Sequence, residues 1–232
     1  MEIKHFFTSV FFSILLLLFA ACSEEVIEPP AQLFGTSFFP LQAGYAIEYE
    51  VEKVTFKEFE PTDTSFYYLR EEIGDTLNQL NATGIAQKVL LYSRTDSLGN
   101  WQLDSVWTVR KDFNRIIKTE NNISFIKLAL PLESNSSWDG NALNALESKF
   151  YRIENFLLPH KELERAFKVV HQQDSSIVDK RVSWEIYGEG VGLVESLKIN
   201  LQYISDITDP FYGTDSIRRG VYIHKKAINF ID

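Results

Sequence analysis

The chain of 232 residues holds a single cysteine, Cys22, and what surrounds it gives that thiol a chemistry. A basic start at Lys4 leads into an apolar run over residues 6–21, and the acidic pair Glu24 and Glu25 stands just beyond the cysteine. This order is the signature of an export signal whose cleavage exposes a cysteine for lipid attachment. The run falls short of the roughly 20 apolar residues of a comfortable membrane span. Two competing readings remain: a cut after Ser23, with small Ala21 three residues upstream, which would release an unlipidated protein, and a retained membrane anchor. With Cys22 carrying lipid, no disulfide and no thiol chemistry is left to the chain, so its core must be held by packing.

Other residues of the chain are also of types that can do chemistry. Glu195 falls on the apolar parity of a strand, between Leu193 and Leu197; a carboxylate buried there would have a raised pKa and could act as an acid or anchor a ligand, unless a bulge turned it to water. Trp138 and Asp139 sit in a loop rich in Ser, Asn and Gly, where the indole could stack on a sugar or simply cover the core. His160, His171 and His224 show no paired spacing of a metal site, so no metal and no cofactor is expected. The glycines at 188, 190 and 192 lie ahead of a strand, not a helix, and read as a tight turn, not a phosphate loop. No Gly-x-Ser-x-Gly elbow occurs. Thr76, Ser97, Ser105 and Ser216 each follow Asp and precede an aliphatic residue, a tripeptide that resembles the acceptor for O-glycosylation of exported Bacteroidota proteins.

The elements that must position these residues are strands. Tyr45, Ile47, Tyr49 and Val51 alternate with polar partners, and a parity switch to Val54 and Phe56 predicts a bulge near Glu52 and Lys53. Residues 65–73 read as the returning strand, and residues 85–95 and 101–111 as a hairpin across a five-residue loop, with Trp101, Leu103, Trp107 and Val109 on one face. Further strands are expected at 115–119, 123–130, 149–156, 167–173, 181–187, 191–203 and 220–230, with Asn121 and Asn122 at one turn and a short helical turn at 142–147. The fold expected is all-β: a single, mainly antiparallel, strongly bent sheet or incomplete barrel, with a β-sandwich as the alternative. The domain plan is a signal over 1–21, lipidated Cys22 and tether over 22–37, and a β domain over 38–232. Net charge is −9, which argues against nucleic acid and against docking to anionic lipid by charge.

The segment Phe19-Ala20-Ala21-Cys22 resembles a bacterial lipoprotein signal, with Phe19 where Leu is usual. The following Ser23-Glu24-Glu25 resembles the surface-export tether of Bacteroidota lipoproteins. Over most of the mature chain, Phe39-Pro40-Leu41 with Gly44, Lys127 to Pro131 with Trp138-Asp139-Gly140-Asn141, and Glu185 to Val194 resemble a family of uncharacterised Bacteroidota lipoproteins. That resemblance implies a β fold and an outer-membrane address, with the cell surface favoured over the periplasmic face, and carries no catalytic residue. The expected function is therefore a non-catalytic, lipid-anchored envelope protein with a binding or structural role. Its partners would be the membrane through its lipid and an envelope protein, a glycan or a hydrophobic ligand. The alternatives are a carrier with a hydrophobic ligand in a β cavity, and a glycan-acting hydrolase whose paired carboxylates meet only in space.

Overall fold

The computed structural model describes residues 35–77 and 86–232. Cys22, the signal over 1–21 and the tether up to residue 34 lie outside the described residues. The described chain is a run of strands: β1 (Ala46–Phe56), β2 (Asp63–Leu77), β3 (Ala86–Arg94), β4 (Gln102–Asp112), β5 (Arg115–Glu120), β6 (Ile123–Ala129), β7 (Ser137–Asp139), β8 (Phe150–His160), β9 (Leu163–Ser175), β10 (Asp179–Gly188), β11 (Gly192–Tyr203) and β12 (Ile217–Ile231).

They form one antiparallel sheet of 12 strands in the order β6-β5-β4-β3-β2-β1-β12-β11-β10-β9-β8-β7. Both chain-terminal strands sit at the middle of that order, because β1 pairs β12 from Ala46↔Ile231 to Phe56↔Gly220. The sheet curls into a nearly closed barrel with one unsealed seam between β6 and β7, which leaves little edge exposed to further pairing. A bent sheet or incomplete barrel is thus the fold that forms, in place of a sandwich.

The local chemistry of the turns explains the meander. Asn121 and Asn122 take positive φ of 50° and 65°, the pair of left-handed residues that a two-residue hairpin requires and that Asn tolerates. At the β10–β11 turn Gly192 has φ 86°, and a Cβ there would meet Pro40 Cδ at 3.2 Å, so glycine is needed both for conformation and for close approach. The Pro40 side belongs to the segment 35–45, which caps this end of the barrel. Its 3-10 turn, Thr36–Phe38, drives Phe38 into the core at 1% exposure, edge-on to Phe167 with ring centroids 4.9 Å apart. The Gly190 N–H donates to Ser37 O at 2.8 Å, and the Tyr45 hydroxyl donates to Val191 O at 2.8 Å.

Three details differ from the sequence expectation. The bulge lies between Glu48 and Tyr49 where β1 meets β12, with Ile228 as the extra residue; β1 itself pairs β2 without a break from Ala46 to Thr55, so the bulge expected near Glu52 and Lys53 is absent from that ladder. Residues 142–147 form turns and bends, not a helical turn, and the loop before them contributes the short strand β7. On β4, Asp104 is an extra residue opposite Leu91 and Tyr92. That bulge separates Leu103, 54% exposed, from the inward face of Trp107 and Val109 that simple alternation assigns it to.

The seam is bridged by a few hydrogen bonds from side chains and loop backbone, not by a strand ladder. Ile126 N–H donates to Gly140 O at 2.9 Å, the Trp138 indole N–H donates to Ile126 O at 2.9 Å, and Asn144 Nδ2 donates to Ser124 O at 2.8 Å. These bonds satisfy groups that an edge strand would otherwise leave to solvent.

Candidate ligand cavity

Inside the barrel lies a half-enclosed cavity of about 210 Å³. Its apolar wall includes Phe39, Ile47, Ile73, Val89 and Leu193, and its polar wall is made by six charged side chains, Glu71, Lys118, Glu120, Lys127, Glu185 and Lys225. Three carboxylates thus face three ammonium groups in a lumen where unpaired charge is costly.

Each buried carboxylate is met by cations from across the lumen. Glu71 on β2 receives Lys118 of β5 at 2.6 Å and Lys225 of β12 at 2.8 Å. Glu185 on β10 receives Lys127 of β6 at 2.5 Å and the Tyr187 hydroxyl at 2.6 Å. Burial alone would raise both carboxyls, but the lysines outweigh it: Glu185 is brought down to about 2, and Glu71 is held well below the usual carboxylate range. Lys127 is correspondingly raised, the Glu185 charge outweighing its own desolvation. Lys225 lies 4.3 Å from the Tyr49 ring centroid and Lys118 4.7 Å from that of Trp107, so the aromatic wall also steadies the cations.

Bulges set two of the polar side chains. Lys127 is the extra residue of β6 between the pairs Ile116↔Leu128 and Ile117↔Ile126. His171 is the extra residue of β9 between Ser183↔Gln172 and Trp184↔Val170; it stacks on Tyr151 with centroids 4.0 Å apart. Burial pushes the His171 imidazole down to about 4, so it is neutral at ordinary pH. Its Nδ1 is 3.5 Å from Ser183 Oγ and its Nε2 is 3.5 Å from Glu185 Oε2. The order serine, histidine, carboxylate is that of a hydrolytic triad. The Nδ1 contact is at the long limit of a hydrogen bond, Nε2 is buried without a hydrogen-bond partner among the described residues, the imidazole is a weak base, and Glu185 is already committed to Lys127 and Tyr187.

A third bulge moves Glu195 out of the lumen. Ile186 pairs Glu195 and Tyr187 pairs Leu193, so Val194 is the extra residue. Leu193 and Tyr187 line the cavity; Glu195, opposite Ile186, is therefore on the outer face. There its carboxylate accepts from His160 Nε2 at 2.9 Å, Lys161 Nζ at 2.7 Å and His224 Nε2 at 2.7 Å. Desolvation pushes this carboxyl up, but those hydrogen bonds bring it down to about 2. The raised pKa expected for a buried Glu195 is thus overturned: a carboxylate on an apolar parity was re-aimed by one residue and met by three donors.

Trp138 is buried in the seam, its indole N–H given to Ile126 O and its ring edge-on to Tyr151. Asp139 beside it is a turn former: its Oδ1 accepts the N–H of Asn141 and of Lys149, both at 2.9 Å, which lowers its pKa. Thr76 and Ser97 are exposed, whereas Ser105 and Ser216 are half-buried. Sequence reasoning missed the internal charges. The usable signal was a polar residue on an apolar parity, Glu71 between Leu69 and Ile73; Lys127 and His171 gave none, since each depends on a bulge.

Fold and cavity together define an all-β, nearly closed barrel with an ion-paired lumen. No family model, no curated protein and no solved structure matches the chain. Among the described residues no group of three or more His, Cys, Asp or Glu side chains is placed to hold a metal ion, and no helix is long and apolar enough to cross a membrane.

Proposed function

We propose that this chain is a non-catalytic, lipid-anchored protein of the cell envelope, held by Cys22, whose barrel binds a small ligand in its lumen. The observation that carries the binding reading is the cavity of about 210 Å³, walled partly by aliphatic and aromatic groups and partly by six charged side chains. Replacing buried ion pairs with apolar side chains of similar volume is often neutral or stabilising, so a lumen that keeps three lysines and three glutamates suits recognition better than mere filling. The volume is below the roughly 300–1,000 Å³ of drug-sized sites, which together with the charges favours a compact amphipathic molecule over a long acyl chain. A non-catalytic role is supported by the ionised state of Glu71 and Glu185, since acid-assisted glycoside cleavage needs one protonated carboxyl.

Saturation-transfer NMR with the full chain in detergent tests the receptor reading, using a mixture of anionic, neutral and cationic fragments. Fragment signals are expected with the wild type and lost in Val89→Phe or Leu193→Phe, which fill the lumen. Silence of every fragment against the wild type would remove the receptor reading. The anchor is tested separately: Cys22→Ala should release the protein from the envelope fraction, and the intact mass of the wild type should include acyl groups. In the same proposal Thr76 and Ser97 are the most accessible O-glycan acceptors, checked by intact mass before and after O-glycan release.

A further inference from the structure

Among the lumen side chains the tyrosine hydroxyls and the two inner carboxylates are already engaged, while the ammonium groups carry more N–H donors than hydrogen bonds. The Tyr45, Tyr49 and Tyr187 hydroxyls already donate, to Val191 O, Leu193 O and Glu185. Both oxygens of Glu71 are taken by lysines, and Glu185 spends one on Lys127 and one on Tyr187. Donors remain. Each ammonium carries three N–H groups, yet Lys127 and Lys225 each give one hydrogen bond to a carboxylate among the described residues, and the Trp107 indole nitrogen is buried with no partner.

One acceptor in the wall is loosely held. Glu120 meets Lys118 only at 3.5 Å, and its side chain is 29% exposed, the most of the three cavity carboxylates. Its charge also acts on Lys127, which places it electrostatically between the two lysines. A donor-rich wall with one weakly bound, solvent-reachable carboxylate has the form of an anion site occupied by an internal substitute.

We propose, resting on the receptor reading above, that the ligand of this cavity is a small carboxylate with an apolar body. Its head group takes the N–H groups of Lys118 and Lys127 as the Glu120 carboxylate swings to solvent, and its body lies against Val89, Ile73 and Leu193. Glu71 and Glu185 keep their own partners throughout, so the lumen gains one anion and loses one.

Benzoate, benzamide and benzylamine, nearly equal in shape and different in charge, are the probes, titrated calorimetrically into the full chain in detergent. Wild-type protein should bind benzoate in preference to the other two. Glu120→Gln should bind benzoate about fivefold more tightly, because a partly exposed anion competing for a buried lysine is gone, and should leave benzamide unchanged. Preference for benzylamine, or benzoate binding that is weakened or unaltered by Glu120→Gln, overturns the carboxylate class while the receptor reading stands. Binding of none of the three overturns the class, and the fragment mixture then decides whether the receptor reading falls with it. Should Glu120→Gln not fold, the order of the three probes on the wild type alone decides the class.

Discussion

Glu185 inside the barrel and Glu195 outside it sit 10 positions apart on neighbouring strands, and each is met by three polar side chains. Inside, the partners are Lys127, Tyr187 and the neutral His171; outside, they are His160, Lys161 and His224. The inner lysine is 12% exposed, whereas Lys161 is 55% exposed. Water can therefore replace Lys161 and cannot replace Lys127. The two sites also join different things: Lys127 and Glu185 tie β6 to β10 across the lumen, while Glu195 on β11 fastens the tip of the β8–β9 hairpin over the outside of β10. The same chemistry thus acts as a frame in one place and as a clasp in the other.

The largest expected effect breaks the frame. Glu185→Leu strands Lys127 as a buried, unpaired cation and should destabilise the protein by about 3–5 kcal/mol, whereas Glu185→Leu combined with Lys127→Met should recover most of that loss. Urea unfolding of the two single variants and the double variant measures this. Equal loss in the double variant would mean that the pair's packing, not its charge, holds β6 to β10.

Next comes the histidine beside that pair. The His171 pKa in the folded protein, about 4, is below the ordinary histidine value near 6.5, so the unfolded chain takes up the proton first. Its contribution is fully present above pH 6.5 and is lost as pH falls towards 4, by about 3 kcal/mol in all. Urea midpoints at pH 7, 5.5 and 4.5 should fall steadily in the wild type and much less in His171→Gln.

The barrel was legible in the sequence because its evidence is local: period-two alternation in β1, glycine at the β10–β11 turn, the Asn pair between β5 and β6. The cavity was not, because its charged groups reach it through register. Lys127 and His171 point inward, and Glu195 outward, only because each stands at or beside a bulge, and a bulge inverts the inside–outside assignment of every residue beyond it. Alternation along β10 shows the same limit. Val182, Trp184 and Ile186 alternate and share a face, and it is the outer one, since Glu185 and Tyr187 line the lumen. There Trp184 lies edge-on to His224 and under Lys168. An apolar face identifies a packed surface; in a nearly closed barrel it does not say which side of the sheet is packed. The residue type and loop setting of Trp138 suit either a sugar platform or a cover for the core, and the Ile126 carbonyl that accepts its indole N–H comes from 12 residues earlier across a seam that no periodicity reveals.

The smallest effect tests the clasp. Glu195→Gln keeps one acceptor oxygen, enough for either His160 or His224, and removes the charge that Lys161 answers; a partly solvated pair of this kind is worth about 1 kcal/mol at most. The change should nonetheless be concentrated. Leu157 in the β8–β9 hairpin holds a left-handed conformation, φ 56°, which a leucine adopts only when its surroundings compel it, and the pairing of β8 with β9 is already irregular between Glu154 and His160. Amide hydrogen exchange should therefore quicken over residues 155–162 in Glu195→Gln and stay unchanged at Ile153, Val169 and Tyr187. Because the Glu195 pKa is about 2 in the folded state and near 4.3 when unfolded, the clasp's contribution is present above about pH 4.3 and is lost as pH falls towards 2. The wild-type hairpin should then approach the exchange rates of the variant. Quickening spread evenly over the barrel would show instead that Glu195 belongs to the frame, and the distinction between the two carboxylates would be gone.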